Sequence, residues 1–252
     1  MAHQHQLKFV SLADQHFVRH GRETLRILEV GSYDVNGSVR HIFTGSDYIG
    51  ADLCEGPGVD IVRSGHEIDF ADASFDLTIS CECFEHNPYW VETFLNMHRM
   101  TKPGGLVVIT CASRGRLEHG TPRANYYGSP GTSALGMDYY RNLGQDDFAR
   151  ALRLDELFAS HRFFYIRKNH DLYFIGWKQG EPRFRGDVER FSRDVRAINR
   201  LGTNRIKIFD LPVSLARLLP LDDRSFQNFA FGYLTMVRPV REFIRSLSKR
   251  HK

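Results

Sequence analysis

Apolar positions along this chain gather into short runs separated by polar turns. Leu25–Val30 (LRILEV) stops at Gly31, as a buried parallel strand does when it turns into its helix. Tyr48–Asp52 (YIGAD) ends at an acid, Val59–Val62 (VDIV) is a short third run, and Asp76–Cys81 (DLTISC) is a fourth. Trp90–Met100 has helical spacing, Lys102-Pro103-Gly104-Gly105 breaks it, and Leu106–Ala112 (LVVITCA) predicts a fifth strand. A polar insertion follows, then a helix over Gln145–Phe158. Arg162–Arg167 and Asp171–Trp177 flank the turn Lys168-Asn169-His170 and predict an antiparallel hairpin.

This alternation predicts an α/β, Rossmann-like fold: a mostly parallel seven-stranded sheet with an antiparallel last strand and helices on both faces. The closing hairpin separates it from dinucleotide-binding Rossmann domains, which remain parallel throughout. Residues 1–180, with an N-terminal helical segment, form the expected main domain. Residues 181–252 form an expected helical extension. There Val188, Phe191, Val195, Ile198 and Leu201 recur at helical spacing. Val213–Leu219 and Phe229–Leu247 also look amphipathic, with Pro212, Pro220 and Pro239 as breaks or kinks.

Composition adds one asymmetry. Residues 181–252 hold 16 Lys/Arg against 8 Asp/Glu, while the rest of the 252-residue chain has an acidic excess. A basic tail on an acidic body implies docking onto an anionic membrane or partner, or packing on the body or a dimer mate with a solvated basic face. Nucleic acid is not an expected partner, because no binding module accompanies the basic residues. No run of about 18 apolar residues predicts a membrane span, and the polar N-terminus lacks a secretion signal's apolar stretch. Cys54, Cys81, Cys83 and Cys111 suggest no disulfide framework and complete no zinc pattern. A cytoplasmic, metal-free protein is therefore the expectation.

Four segments then resemble the class I S-adenosylmethionine-dependent methyltransferases: ILEVGSYDVNGS (27–38), YIGADLCEGPGVDIV (48–62), SFDLTISCECFEH (74–86) and KPGGLVVITCA (102–112). The order and spacing make the resemblance specific, and it covers about residues 20–178. It implies S-adenosyl-L-methionine as cofactor. Glu29 would support the cofactor's amino-acid end, with capping of nearby amides as the plain alternative. Gly31 would permit close backbone approach, with Ser32 and Asn36 in the same loop. Tyr33 stands where the family usually has a second glycine. Asp52 would accept both ribose hydroxyls, Leu53 following it. Ser64 and Gly65 would border the adenine, and Cys81 and Glu82 the reactive methyl. Asn87-Pro88-Tyr89 reads as a helix-entry turn rather than an amide-methylating motif.

The acceptor should sit beyond the carboxyl ends of the strands. Ser113–Asn142 is too long for an idle connection there and reads as a lid or substrate loop. Arg116, Arg123, Tyr139 and Tyr140 are its candidate acceptor contacts, the arginines for an anionic group, with solvated surface charge as the alternative. His119, beside Glu118, is the first candidate base and His86 the second; hydrogen bonding within the loop is the plain reading of His119. Methylation of a hydroxyl on a sugar or glycan precursor, by analogy with similar chains, leads over a small-amine acceptor and over an inactive cofactor-binding protein.

Overall fold

A strand buried on both faces is largely apolar, as the run Leu106–Ala112 is, buried throughout its length. The computed structural model describes residues 4–19, 24–199 and 211–250. Its strands are β1 (Arg26–Val30), β2 (Asp47–Asp52), β3 (Ile61–Val62), β4 (Phe75–Cys81), β5 (Thr101–Ala112), β6 (Phe158–Ile166) and β7 (Asp171–Lys178). They form one sheet in the order β3-β2-β1-β4-β5-β7-β6. Pairs among β1 to β5 are parallel, whereas β7 runs antiparallel to both β5 and β6. The expected sheet and its closing hairpin are both present.

The period-two alternation of β1 divides the core between two layers. Ile27 points into a cluster with Phe9, Phe17, Tyr173 and Phe191. Leu28 and Val30 point into the other, with Phe94, Met97, Phe148 and Phe174. The first layer is covered by α1 (Gln4–Ala13), extended by a wide π turn over Asp14–Val18, and by α6 (Val188–Ile198). The second is covered by α2 (Trp90–Met100) and α4 (Gln145–Ala151). Each fully buried Phe or Leu contributes about 1.5–3 kcal/mol, so these layers hold the sheet rigid enough to position a site at its edge.

Three expectations are corrected. Lys102–Gly105 does not separate α2 from β5: the strand starts at Thr101, and the irregular register between Phe75 and Leu77 absorbs the extra residues, with Gly104 at φ +70°. The expected helix over 145–158 is broken, because Leu152 is extended and Phe158 already pairs with Lys178; a single turn, α5 (Leu154–Leu157), lies between. The boundary at 180 also moves. The chain divides into Met1–Leu201 and Gly202–Lys252, since Phe191, Val195 and Ile198 of α6 are core residues of the first unit. Leu201 lies outside the described residues.

The second unit holds α7 (Leu211–Ala216) and α8 (Asp223–Arg250), which runs through Pro239 rather than ending there. Among the described residues, no helix is long and apolar enough to cross a membrane.

Candidate cofactor site

The chain leaves β1 at Gly31, whose φ of +83° favours glycine and whose N–H donates to the Ala51 carbonyl at 2.8 Å. A Cβ there would lie 2.5 Å from Cys83 Cβ, so β1 and the turn after β4 approach each other only across a glycine. Beyond them opens a cavity of about 280 Å³, at the carboxyl ends of β1, β2 and β4. Of the predicted cofactor residues, Gly31, Asp52, Leu53, Ser64, Gly65, Cys81 and Glu82 line it.

Asp52 is held before any ligand arrives. Its Oδ1 accepts the Leu53 N–H at 2.6 Å and its Oδ2 accepts the Tyr33 N–H at 3.0 Å. Burial raises its pKa, and those two amide bonds pull against the rise. Gly131, in the short helix α3 (Pro130–Ala134), crosses close to this carboxylate: a Cβ there would lie 2.5 Å from Asp52 Oδ1. Further along the wall, the His66 and Tyr89 rings face each other at 4.3 Å, and Ser64 Oγ bonds His66 Nδ1 at 2.9 Å. Glu82 has φ +52°, a left-handed backbone costing about 1–3 kcal/mol for a residue with a side chain, and this strain sits on the cavity wall.

Glu29, Ser32 and Asn36 lie outside the cavity lining. Glu29 shares the Ile27 face of β1, and the Tyr48 hydroxyl donates to its Oε2 at 2.9 Å. Burial lifts its pKa to about 7, although the Tyr48 bond opposes this. Ser32 is buried beneath Gly50, and Asn36 is exposed. Tyr33 and Val35 line the cavity from the same loop, with the Tyr33 ring against Gly56.

The catalytic and acceptor candidates divide similarly. His86 lines the cavity; burial, followed by the nearby His119, pushes its pKa down to about 3. His119 sits behind it, ring centroids 5.0 Å apart, and its Nδ1 bonds the Leu117 carbonyl at 3.1 Å. Burial lowers its pKa to about 4. Glu118, beside His119 in the sequence, accepts from Thr121 Oγ1 at 2.7 Å and from Arg123 Nε at 2.8 Å. Arg116 donates to the Asn169 carbonyl at 2.9 Å and to Asp171 Oδ1 at 3.3 Å. Tyr140 donates to Asn142 Oδ1 at 2.9 Å, and Tyr139 is half-buried beside Arg141.

None of Arg116, Arg123, Tyr139 and Tyr140 lines the cavity. The insertion does reach it, through Gly128–Thr132, Leu135 and Met137. Those residues are small or apolar and carry no titratable signal, so sequence reasoning passed over them. Asn87-Pro88-Tyr89 is a helix-entry turn: Tyr89 N–H donates to Asn87 Oδ1 at 2.8 Å just before α2 begins.

Residues 39–109 match the family described as "Methyltransferase domain". An uncharacterised methyltransferase of Mycobacterium tuberculosis, found in strains H37Rv and CDC 1551, is 33% identical over 96 residues. That match covers 29% of this chain and 38% of the relative, so the chain spans well under half of that protein's length. Among solved structures, Burkholderia thailandensis 1,6-didemethyltoxoflavin-N1-methyltransferase is similar at 18% identity and TM-score 0.48, over 70% of this chain and 80% of that one. Haemonchus contortus phosphoethanolamine N-methyltransferase 2 is similar at 14% identity and TM-score 0.47, over 68% of this chain and 52% of that one. The methyltransferase-domain match runs through the stretch that carries Asp52, Gly65 and Glu82 to the cavity, so this part of the chain is similar to a methyltransferase domain.

Proposed function

We propose that this protein transfers a methyl group from S-adenosylmethionine to a hydroxyl of a sugar, a glycan precursor or another small molecule. Asp52 carries the reading. Each of its oxygens already accepts one backbone N–H, and each keeps a second lone pair that a ribose hydroxyl can use. Gly31, Leu53, Ser64, Gly65, Cys81 and Glu82 complete the proposed cofactor set. When bound, S-adenosylmethionine supplies an electrophilic methyl on a positively charged sulfur. The chain's own residues then align the acceptor and exclude water, a role suited to Pro130, Leu135 and Met137. His86 ranks ahead of His119 as the side chain placed to meet the acceptor's proton, because it lines the cavity.

Asp52→Ala should weaken S-adenosylhomocysteine binding by about 1.5–3 kcal/mol, the range for hydrogen bonds to a charged group, read by calorimetry. Unchanged affinity would remove the ribose assignment. Turnover against sugar and amine panels, with products identified by mass, tests the acceptor.

A small amine is the second reading. Glu82 favours it, as a carboxylate on the cavity wall, while both arginines expected to hold an anionic acceptor are paired with acids. In the second unit, Leu218, Leu219, Met236 and Val240 are exposed alongside the basic residues. They support a contact with a second copy or an anionic membrane, which sedimentation with and without vesicles separates.

A further inference from the structure

The turn after β4 carries Glu85 and His86, two side chains of metal-ligating type, and the methyl-transfer reading gives Glu85 no role. Glu85 is wholly buried, and neither carboxylate oxygen has a hydrogen-bond partner among the described residues. His86 is 6% exposed, and its Nδ1 is likewise buried and unpartnered. Buried polar atoms are rarely left in this condition unless something outside the chain completes them. His119 approaches from the insertion. When its Nδ1–H donates to the Leu117 carbonyl, Nε2 carries the lone pair, and Nε2 lies 4.0 Å from Glu85 Oε1. One ligand atom from each of the three residues lies within 4.8 Å of the others.

We propose that Glu85, His86 and His119 bind a divalent transition-metal ion of the zinc or cobalt class. Two imidazoles and a carboxylate are a ligand set such ions take, with at least one coordination position left open. Bonds of zinc length place neighbouring ligand atoms roughly 3.3 Å apart, so the three side chains must draw in by up to about 1.5 Å.

The consequence for catalysis rests on the methyl-transfer reading. Because His86 also lines the cavity, an ion held by these residues would lie at the cavity wall, where it would supply Lewis-acid activation of an acceptor hydroxyl.

The test is a Co²⁺ titration of chelator-stripped, full-length protein, followed by visible absorption with no cofactor or acceptor present. One equivalent should produce the d–d bands of a low-coordinate site, and Zn²⁺ should bleach them. Glu85→Gln and His119→Ala should each weaken binding by about 10- to 100-fold or more. His119→Cys should keep the ion and add a near-ultraviolet thiolate-to-cobalt band, which identifies position 119 as a ligand even if Glu85→Gln fails to fold. Absence of d–d bands in the unaltered protein overturns the site. So does unchanged binding in folded His119→Ala, or His119→Cys without its new band. Calorimetry with S-adenosylhomocysteine in metal-free buffer separates the two readings. Cofactor binding without cobalt bands overturns the metal site alone, and cobalt bands without cofactor binding overturn the methyl-transfer reading alone.

Discussion

The β1–β2 edge and the insertion 113–142 both bring charged side chains to the carboxyl end of the sheet, and they treat them in opposite ways. At the first edge, Asp52 is aimed by two backbone amides and faces a cavity. In the insertion, Arg116 and Arg123 are paired with Asp171 and Glu118, away from the cavity lining. A loop rich in arginine and tyrosine therefore does not by itself make a binding wall. What distinguishes a site is a charged group that is oriented yet still has capacity for a ligand.

The largest way to break this contrast is Arg116→Met. Asp171 is wholly buried, and the substitution removes a guanidinium that pairs with its carboxylate in the interior. The expected result is a loss of about 3 kcal/mol in denaturant unfolding, with S-adenosylhomocysteine affinity unchanged. Near-native stability combined with a raised acceptor KM would return Arg116 to acceptor recognition.

Glu29 sharpens the same contrast from the other side, as an acid predicted to serve the cofactor and found facing the α1 layer. Its folded pKa of about 7 lies above the ordinary carboxylate value of 4.5, with burial as the main cause. The native state therefore binds more protons than the unfolded chain between those values. Stability is fully present below pH 4.5 and falls as pH rises towards 7. Glu29→Gln keeps an acceptor for the Tyr48 hydroxyl and removes the charge. It should match the parent near pH 4.5 and exceed it above pH 7 by up to about 3 kcal/mol, measured by urea unfolding at each pH. Reduced S-adenosylhomocysteine affinity in this variant would restore Glu29 to the cofactor site.

These cases show what was legible in the sequence. β4 announces itself because a strand covered on two faces is rich in apolar residues, and the β6–β7 hairpin because two such runs flank a short turn. Gly31 and Asp52 are legible as cavity-lining positions because their placement at the ends of β1 and β2 follows from backbone position alone. Glu29 is different: the alternation of β1 decides its face, and its neighbour Tyr48 comes from another strand. The partners of Arg116 were hidden for the same reason, since Asp171 lies 55 residues away. Gly128–Met137 gave only a loop signal, having neither periodicity nor charge, yet it forms part of the cavity wall. Local pattern specifies the sheet, whereas long-range pairing decides which polar residues remain available.

The smallest expected effect comes from Arg123→Ala, and its smallness is informative. Arg123 is 41% exposed and bonds Glu118, which is only 11% exposed. Burial works against the Glu118 charge, but hydrogen bonds from Arg123 and Thr121 hold its carboxyl below the usual pKa. A depressed folded pKa contributes stability that is present above the unfolded value and lost as pH falls through the folded one. The pair therefore acts at neutral pH and disappears in acid. Because one partner is open to solvent, its worth should be about 0.5 kcal/mol, fading further as salt screens the pair. Thermal melts at pH 7 and pH 3, each at low and high salt, measure this directly. Acceptor KM should not move, since Arg123 lies outside the cavity lining and its guanidinium is engaged with Glu118. A several-fold rise in KM without a stability change would mean that Arg123 leaves Glu118 for the acceptor, and that the insertion's charges are exchangeable rather than spent.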